Sequence, residues 1–339
     1  MLRVGFLGAG FIAAFHSKLL RNAHTPFVRA GVYDRDPART EAFARVSGHQ
    51  PCRSEAEVLD GCDAVFVCTW TSEHRRLVEC AAERGLAVFV EKPLATSLAE
   101  AEALCAAVDR WGVVNQVGLV LRRSPAVRAL VHLATEPAAG TVLAVVFRDD
   151  QFIPIQGRYA STWRADRARA GAGTLLEHSI HDLDVLTWLG GPVRSVSCTT
   201  RNHHDHPGIE DVAQVSLQFA GGTVASLTSV WHDNLARPSL RRVEVLCERR
   251  FVALAGDDWL GPVHWEDADG TTGSLEGAVL EREVPLAGPR NPADAFLAAA
   301  SSRAPAWPDV HTALAAHRVA DACYRSAALG GAPVEVDAE

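Results

Sequence analysis

The chain has 339 residues, of which 48% are hydrophobic, and its formal net charge is −8 at pH 7. This length predicts a substantial core and two domains. The acidic balance argues against nucleic acid as a partner, and the lack of an apolar stretch of spanning length argues against a membrane protein. The N-terminus has no signal-peptide pattern, and no two of the eight cysteines have the spacing of a metal or redox site. We therefore expect a cytoplasmic protein without a metal site.

Residues 1–120 alternate between strand and helix patterns. The predicted strands are 2–7, 27–33, 64–68, 87–90 and 113–118. Helices are predicted after Gly10 and at about 73–84 and 97–111. This alternation is typical of a doubly wound α/β domain with a parallel sheet.

The pattern changes after residue 120, so we assign a second domain to residues 121–339. Its predicted helices are about 125–135, 173–189, 292–302 and 309–328. Its predicted strands are 142–147, 193–201, 211–219, 223–232, 240–247 and 281–285. A run of strands flanked by helices predicts an α+β domain on a mostly antiparallel sheet.

The first predicted strand leads into a glycine-rich turn, Gly8-Ala9-Gly10-Phe11-Ile12-Ala13. The turn fits the dinucleotide signature Gly-x-Gly-x-x-Gly/Ala, in which small residues let the backbone approach a pyrophosphate. Asp34 ends the second strand, where its carboxylate can accept both ribose hydroxyls and would repel a 2′-phosphate. Arg35 follows and can weaken that discrimination or lie across the adenine. The pattern favours NAD over NADP.

The densest group of polar residues lies in the predicted helix 173–189. Glu177 and His181 are four residues apart, so on one helix they share a face and can hydrogen bond. His178 and Asp182 form a second such pair on another face. A carboxylate beside an imidazole raises its basicity, and from spacing alone either histidine can be a general base. A buried structural network is the alternative interpretation.

Lys92 is one of only two lysines among the 33 basic Lys and Arg residues. It directly follows the predicted strand 87–90, and α/β proteins place their sites at such strand ends. A lysine ammonium is compact and can approach a single oxygen, which the broad guanidinium group of arginine does less well. Lys92 is therefore a candidate catalytic residue, whereas Lys18 has no such setting.

Together these motifs resemble the Gfo/Idh/MocA oxidoreductases over nearly the whole chain. The resemblance rests on the glycine turn, on Glu91-Lys92-Pro93, on Arg123 and Pro125, and on the segment from Glu177 to Asp184. It implies a Rossmann domain at 1–120 that binds NAD(P). It also implies a C-terminal domain at 121–339 that binds substrate and whose open sheet often forms the oligomer interface. A homodimer or homotetramer is therefore expected.

Members of this family commonly oxidise a secondary alcohol of a sugar, an inositol or another polyol, or reduce the corresponding ketone. The resemblance implies that Lys92 hydrogen bonds to the reacting oxygen and that His181, rather than His178, is the general base. Glu177 takes the position of the family's aspartate and is one methylene longer. Trp70 stands where many members have proline. The implied cofactor contacts after the glycine turn are Thr69, Trp70, His74, Glu91, Lys92 and Pro93.

The loop that leads into the predicted helix supplies candidate substrate contacts. Aromatic faces and an arginine suit a hydroxylated ring, including an anionic one, and the candidates in this loop are Tyr159, Trp163 and Arg164; His178 in the predicted helix is a further candidate. Packing between domains is the alternative role for Trp163. Asp184 and Trp188 are assigned to structure.

Two further interpretations compete with a dehydrogenase. A lyase or glycoside-cleaving enzyme would use the same residues with transient oxidation, and a regulatory protein would bind NAD without turnover. The cluster His203-His204-Asp205-His206 contains metal-binding side-chain types, but it lies in a polar turn where solvated side chains are the default.

Overall fold

The structure is a computed structural model that describes residues 1–157, 159–284 and 288–337. The chain divides into two compact units, Met1–Leu119 with Ala287–Leu314 and Val120–Leu286 with Ala315–Glu339. Part of the C-terminal region thus belongs to the first unit, whereas the sequence analysis assigned everything after residue 120 to the second domain. Phe296 gives the reason, because its buried ring packs edge-on against Phe66 and Phe89.

The strands are short in the first unit and longer in the second. In chain order they are β1 Leu2–Leu7, β2 Phe27–Tyr33, β3 Gln50–Pro51, β4 Ala64–Val67, β5 Ala87–Val90, β6 Asn115–Val117, β7 Val142–Phe152, β8 Val193–Arg201, β9 Val212–Phe219, β10 Val224–His232, β11 Leu240–Cys247, β12 Arg250–Asp257, β13 Gly261–Asp267, β14 Thr272–Leu275 and β15 Val334–Glu335.

The α-helices are α1 Phe11–Arg21, α2 Pro37–Ser47, α3 Glu55–Asp60, α4 His74–Ala82, α5 Leu98–Trp111, α6 Pro125–Thr135, α7 Arg167–Ala170, α8 Thr174–Glu177, α9 Ile180–Gly190, α10 Ala278–Glu283, α11 Pro292–Ser302 and α12 Val310–Ala328. Side-chain oxygens cap several of them. Ser97 accepts from the N–H of Glu100 at the start of α5, and Ser124 accepts from the N–H of Val127 at the start of α6.

The first unit has a parallel sheet with the strand order β3-β2-β1-β4-β5-β6, which confirms the predicted doubly wound domain. Strands β4 and β5 are buried along their whole length, as expected for strands covered on both faces. Phe6, Phe66 and Phe89 stack on three adjacent strands with ring centroids 4.8–4.9 Å apart.

The second unit has a mixed sheet with the order β14-β13-β12-β11-β7-β10-β9-β8-β15. Only β7 and β10 pair in parallel in the described part of this sheet, so the predicted antiparallel character is confirmed. Side chains alternate between buried and exposed along β9 and β11. One face therefore packs in the core, and the other carries the exposed apolar residues Leu143, Val146, Val224, Leu246 and Phe251.

One predicted strand is wrong. Residues 281–283 belong to helix α10 instead of a strand, and residue 285 lies outside the described residues. Residues 281–283 continue the helical turn from which Leu280 buries completely in the core of the second unit. The sequence analysis also missed β12, β13 and β14; of these, β14 is the edge strand, and its four residues carry little apolar signal.

Candidate active site

The glycine turn between β1 and α1 has the geometry that a dinucleotide needs. Gly8 has a φ of +92°, and a Cβ atom there would lie 2.4 Å from the carbonyl oxygen of Cys68. Gly10 is different, because a Cβ atom on it would meet nothing within 4 Å. Ala13 is fully buried where α1 packs on the sheet. Gly8 is thus required by the fold, and Gly10 leaves open space at the start of a helix.

Asp34 lies beside this turn, as the sequence predicts for a ribose-binding carboxylate. Its Oδ2 atom accepts a hydrogen bond from the N–H of Ala9 at 2.8 Å. Its Oδ1 atom accepts from the N–H of Asp36 at 2.9 Å. The carboxylate of Asp34, the residue directly after β2, therefore fixes the backbone of the glycine turn.

Arg35 is held by two neighbours. Its guanidinium is 2.9 Å from Oε2 of Glu73, and its Cζ atom lies 5.4 Å from the centroid of the Trp70 ring. This pairing reduces the positive charge that a 2′-phosphate would meet, so it agrees with the preference for NAD. Trp70 directly precedes a 3₁₀ turn at Thr71–Glu73, and the hydroxyl of Thr69 donates to the carbonyl of Trp70.

Glu91 supports the backbone of Lys92 from inside the first unit. Its Oε1 atom is 2.6 Å from Nε2 of the buried His16, and its Oε2 atom accepts from the N–H of Lys92 at 3.2 Å. Burial opposes ionisation of Glu91, but His16 and Lys92 outweigh it and lower the pKa of the carboxyl group. A Cβ atom on Gly118 would lie 2.6 Å from Oε1 of Glu91, so the carboxylate fills that space. Sequence reasoning missed His16 because its partner is 75 residues away.

His74 holds the other side of the Lys92 turn. Its buried Nδ1 atom lies 2.9 Å from the carbonyl oxygen of Pro93, and since a carbonyl only accepts, Nδ1–H is the donor. The peptide bond between Lys92 and Pro93 is cis. His74, Glu91 and Pro93 were predicted as cofactor contacts; the structure places them where they also shape the Lys92 turn.

The predicted helix 173–189 is interrupted in the structure. The prediction that Glu177 and His181 share one face of a single helix is therefore wrong. Helix α8 ends at Glu177 and α9 begins at Ile180. The carbonyl of Thr174 accepts from both His178 N and Ser179 N, at 3.0 and 2.9 Å, which closes the first helix. The hydroxyl of Ser179 donates to Oγ of Ser229 on β10 at 2.6 Å and holds this break on the sheet.

A buried carboxylate fixes the start of α8. Glu210 accepts from the N–H of Gly173 at 2.8 Å and from the N–H of Leu175 at 3.0 Å. The hydroxyl of Tyr324 donates to the same carboxylate at 2.8 Å, and it accepts from the N–H of Leu176. Burial raises the pKa of Glu210. No sequence motif joins Glu210 and Tyr324 to this helix, so sequence reasoning missed both.

The Glu177 carboxylate is buried and pairs with Arg164. Its Oε2 atom is 3.0 Å from Nε of Arg164, and the Arg164 guanidinium carbon lies 4.5 Å from the centroid of the Trp163 ring. Tyr159 stacks on Phe152 with ring centroids 5.2 Å apart. Arg164 of the predicted substrate-binding loop thus contacts Glu177, and the spacing of these residues in the sequence did not predict this ion pair.

His178 lies in a buried ion cluster of the second unit. Its Nε2 atom is 2.8 Å from Oδ2 of Asp149 on β7, and Arg241 on β11 contacts both residues. Asp184 and Trp188 were assigned to structure above. The contacts of Arg122 support that assignment, because its guanidinium binds the Asp184 carboxylate at 2.8–2.9 Å and lies over the Trp188 ring. No group of three metal-binding side chains is found in the ranges that the structure describes.

Comparison with known proteins identifies the family. Residues 2–119 match the model of an oxidoreductase family with an NAD-binding Rossmann fold, and residues 127–252 match the C-terminal domain of the same family. The chain belongs to the Gfo/Idh/MocA family. It is therefore an oxidoreductase with an NAD-binding domain, as predicted.

Similar proteins include two inositol dehydrogenases. The chain is 32% identical over 246 residues to scyllo-inositol 2-dehydrogenase (NAD(+)) of Bacillus subtilis (strain 168), covering 68% of this chain and 69% of that protein. It is 30% identical over 338 residues to inositol 2-dehydrogenase of Rhizobium meliloti (strain 1021), covering 96% and 97%. A solved levoglucosan dehydrogenase, in complex with NADH and levoglucosan, has the same fold, with a TM-score of 0.88, 21% identity and 99% of both chains covered.

The glycine turn fits the cofactor of this family, and two substitutions test the fit. In Gly8→Ala the new methyl group would meet the Cys68 carbonyl at a positive φ, so we expect the free energy of unfolding to fall by on the order of 2 kcal/mol or more. Gly10→Ala should leave stability unchanged but raise the Kd for NAD by roughly tenfold, about 1.4 kcal/mol. Thermal unfolding and NAD titration measure both. Unchanged NAD affinity in Gly10→Ala would show that the pyrophosphate does not approach this turn.

Within residues 1–157, 159–284 and 288–337, no helix has the length and apolar character needed to cross a membrane.

Proposed function

We propose that this protein is an NAD-dependent dehydrogenase that transfers a hydride between NAD and a secondary alcohol, or its ketone, of a sugar, cyclitol or related polyol. The observation that carries the proposal is the Lys92 turn, which Glu91 and His74 support from two sides at the end of β5. Relatives named as inositol and levoglucosan dehydrogenases support the substrate class.

Residues of the glycine turn and Asp34 would hold the dinucleotide, with the remaining contacts supplied by Phe11, Ile12, Arg35, Thr69, Trp70, His74, Glu91, Lys92 and Pro93. When bound, NAD supplies the hydride acceptor or donor. The protein must then position the carbinol carbon and handle the hydroxyl proton.

Lys92 is the proposed electrophilic partner of the reacting oxygen. Its ammonium group donates a hydrogen bond to that oxygen and stabilises the negative charge that develops there. The turn fixes the backbone of Lys92, so the side chain starts from a defined position. A fixed donor costs less reorganisation during the reaction than a mobile one.

His181 is the proposed general base in oxidation and general acid in reduction. Glu177 contributes by holding a neighbouring substrate hydroxyl or by orienting His181. In the proposed reaction Lys92 and His181 act on the same substrate oxygen.

The Arg164–Glu177 pair favours a neutral substrate. A guanidinium 3.0 Å from a buried carboxylate has its charge largely balanced, and an anionic substrate would have to break that pair. Tyr159, Trp163 and His178 then contribute to substrate binding as aromatic surface and as polar groups. We propose a neutral cyclitol or sugar rather than a sugar acid.

Incubation with NAD and a panel of inositols, neutral sugars and sugar acids tests this function. We expect NADH to accumulate with at least one neutral polyol, and kcat/KM for NADP to be at least about tenfold lower than for NAD. Substrate loss without NADH would indicate the lyase or glycoside-cleaving reaction, in which the cofactor returns oxidised. NAD binding without any substrate loss would indicate a regulatory protein.

We also propose that the protein is a cytoplasmic homodimer or homotetramer. The exposed face of the second sheet carries Leu143, Val146, Val224, Leu246 and Phe251, an apolar set that a second copy would cover. All eight cysteines are free in the structure, which suits a reducing compartment.

A further inference from the structure

Asp149 and Asp182 form a buried carboxyl pair in the second unit. Both side chains are fully buried, and both carboxyl groups bind the guanidinium of Arg241. Asp149 Oδ2 lies 2.8 Å from His178 Nε2 and 3.1 Å from a terminal nitrogen of Arg241, whose Nε atom lies 2.6 Å from Asp182 Oδ1. In the described residues, Asp149 Oδ1 and Asp182 Oδ2 receive no hydrogen bond.

The pair needs a proton. Two ionised carboxylates buried on one guanidinium can only accept hydrogen bonds and repel each other, whereas a proton on one of them supplies a donor and removes one of the charges. The charges around the pair lead to the same conclusion. Asp149 on β7, Asp182 on α9 and Asp258 after β12 all face the single guanidinium of Arg241 on β11, with His178 at the helix break. Asp150, next along β7, pairs instead with Arg148 and Arg237.

The Asp149–Asp182 pair contacts the chain both before and after His181. The Asp149 carboxylate contacts the imidazole of His178, and Oδ2 of Asp149 is 3.5 Å from the hydroxyl of Ser179. The N–H of His181 points to the carbonyl of His178 at 3.4 Å. Asp182 follows His181 directly and is fixed by Arg241. The break between α8 and α9 is thus anchored before and after His181.

We infer that Asp149 and Asp182 share one proton, and that this protonated pair, with His178 and Arg241, is a positioning device for His181. The inference rests on the proposed role of His181. Burial, followed by the charge of Asp149, raises the pKa of Asp182 to about 7 against the attraction of Arg241. Burial also raises the pKa of Asp149. Loss of the shared proton would put two repelling carboxylates beneath the helix break and loosen it.

The sign of the pH dependence follows. The pKa of Asp182 is higher in the folded protein than its ordinary value near 3.8, so the protonated pair stabilises the fold at low pH. That stability falls as the pH rises from about 4 to about 7, and above pH 7 it has been lost. The kcat/KM of the wild type follows protonation of the folded protein alone, so it should fall above about pH 7, by up to about tenfold per pH unit for one proton, while the Kd for NAD stays constant.

Asp182→Asn tests the inference, because its amide replaces the shared proton with a permanent donor of the same shape. We expect the decline in Tm between about pH 4 and pH 7 to disappear, and the decline in kcat/KM above pH 7 to shrink to less than about twofold. Asp150→Asn is the matched control on β7, and it should retain both declines. NAD titration checks that each variant is folded.

Two outcomes would overturn the inference. If Tm of Asp182→Asn falls with pH as in the wild type, the pair shares no proton. If Tm becomes independent of pH but the two pH profiles of kcat/KM superimpose, the pair is structural and does not position His181. Failure of the proposed function would appear instead as a wild type without turnover, and the Tm comparison still decides the shared proton in that case.

Discussion

Lys92→Ala is expected to lower kcat/KM by at least about 10²–10³-fold, the loss typical of removing one donor to a developing oxyanion. The Kd for NAD should stay within about threefold, a difference below 1 kcal/mol. The structure explains why kcat/KM should fall while the Kd for NAD changes little. Glu91 bonds to the main chain of Lys92, and His74 bonds to the main chain of Pro93, so truncation of the lysine side chain leaves both supports of the turn in place.

Two control variants sharpen this test. Lys18 is the other lysine of the chain and lies exposed on α1, so Lys18→Ala should retain wild-type kcat/KM. Lys92→Arg keeps the positive charge but not its compact shape, and we expect it to remain strongly impaired. Steady-state rates and NAD titrations measure all three variants. Lys92→Ala with kcat/KM within about threefold of the wild type would remove Lys92 from the mechanism.

His181→Gln is expected to lower kcat by about 10²–10⁴-fold, the usual contribution of a positioned general base. More specifically, the acidic limb of the pH profile of kcat/KM should disappear. In the wild type this limb arises because protonation of the imidazole removes the base needed for oxidation. Glutamine keeps the polarity and approximate size of histidine but cannot take up the proton.

His178→Gln separates the two histidines. Its imidazole contacts Asp149 and Arg241 within the ion cluster, so we expect a reduced rate with the acidic limb retained. The reverse result, in which His178→Gln loses the limb and His181→Gln keeps it, would make His178 the base. Sequence spacing left this choice open, and the resemblance favoured His181.

The sequence predicted most strands of the first unit, because they carry strong local signals, but it missed α2, α3 and β3. Strands β4 and β5 are continuous apolar runs, and the glycine turn between β1 and α1 has a motif with a physical cause. Helix α6 was predicted with its observed bounds because Pro125 and the Ser124 cap mark its start. The strand predicted at 281–285 was wrong over residues 281–283, because the helix there buries Leu280 in the core through tertiary packing that the local sequence does not show.

The supports of the site were not predictable, because they join residues distant in the chain. Glu91 and His16 are 75 residues apart, and Tyr324 and Glu210 are 114 apart. The helix break at residues 178–179 depends on Ser229 from another strand, so helical periodicity alone extended one helix through it. Local pattern thus predicted the candidate reactive side chains, and tertiary contacts decide how each is held.

The central claim is that Lys92 and His181 act on one substrate oxygen. A crystal structure of the protein with NADH and the polyol that gives the highest kcat/KM tests it most directly. The account predicts that the carbinol oxygen lies within about 3 Å of both Nζ of Lys92 and an imidazole nitrogen of His181. A carbinol oxygen bound by neither residue, or bound by His178 in place of His181, would contradict it.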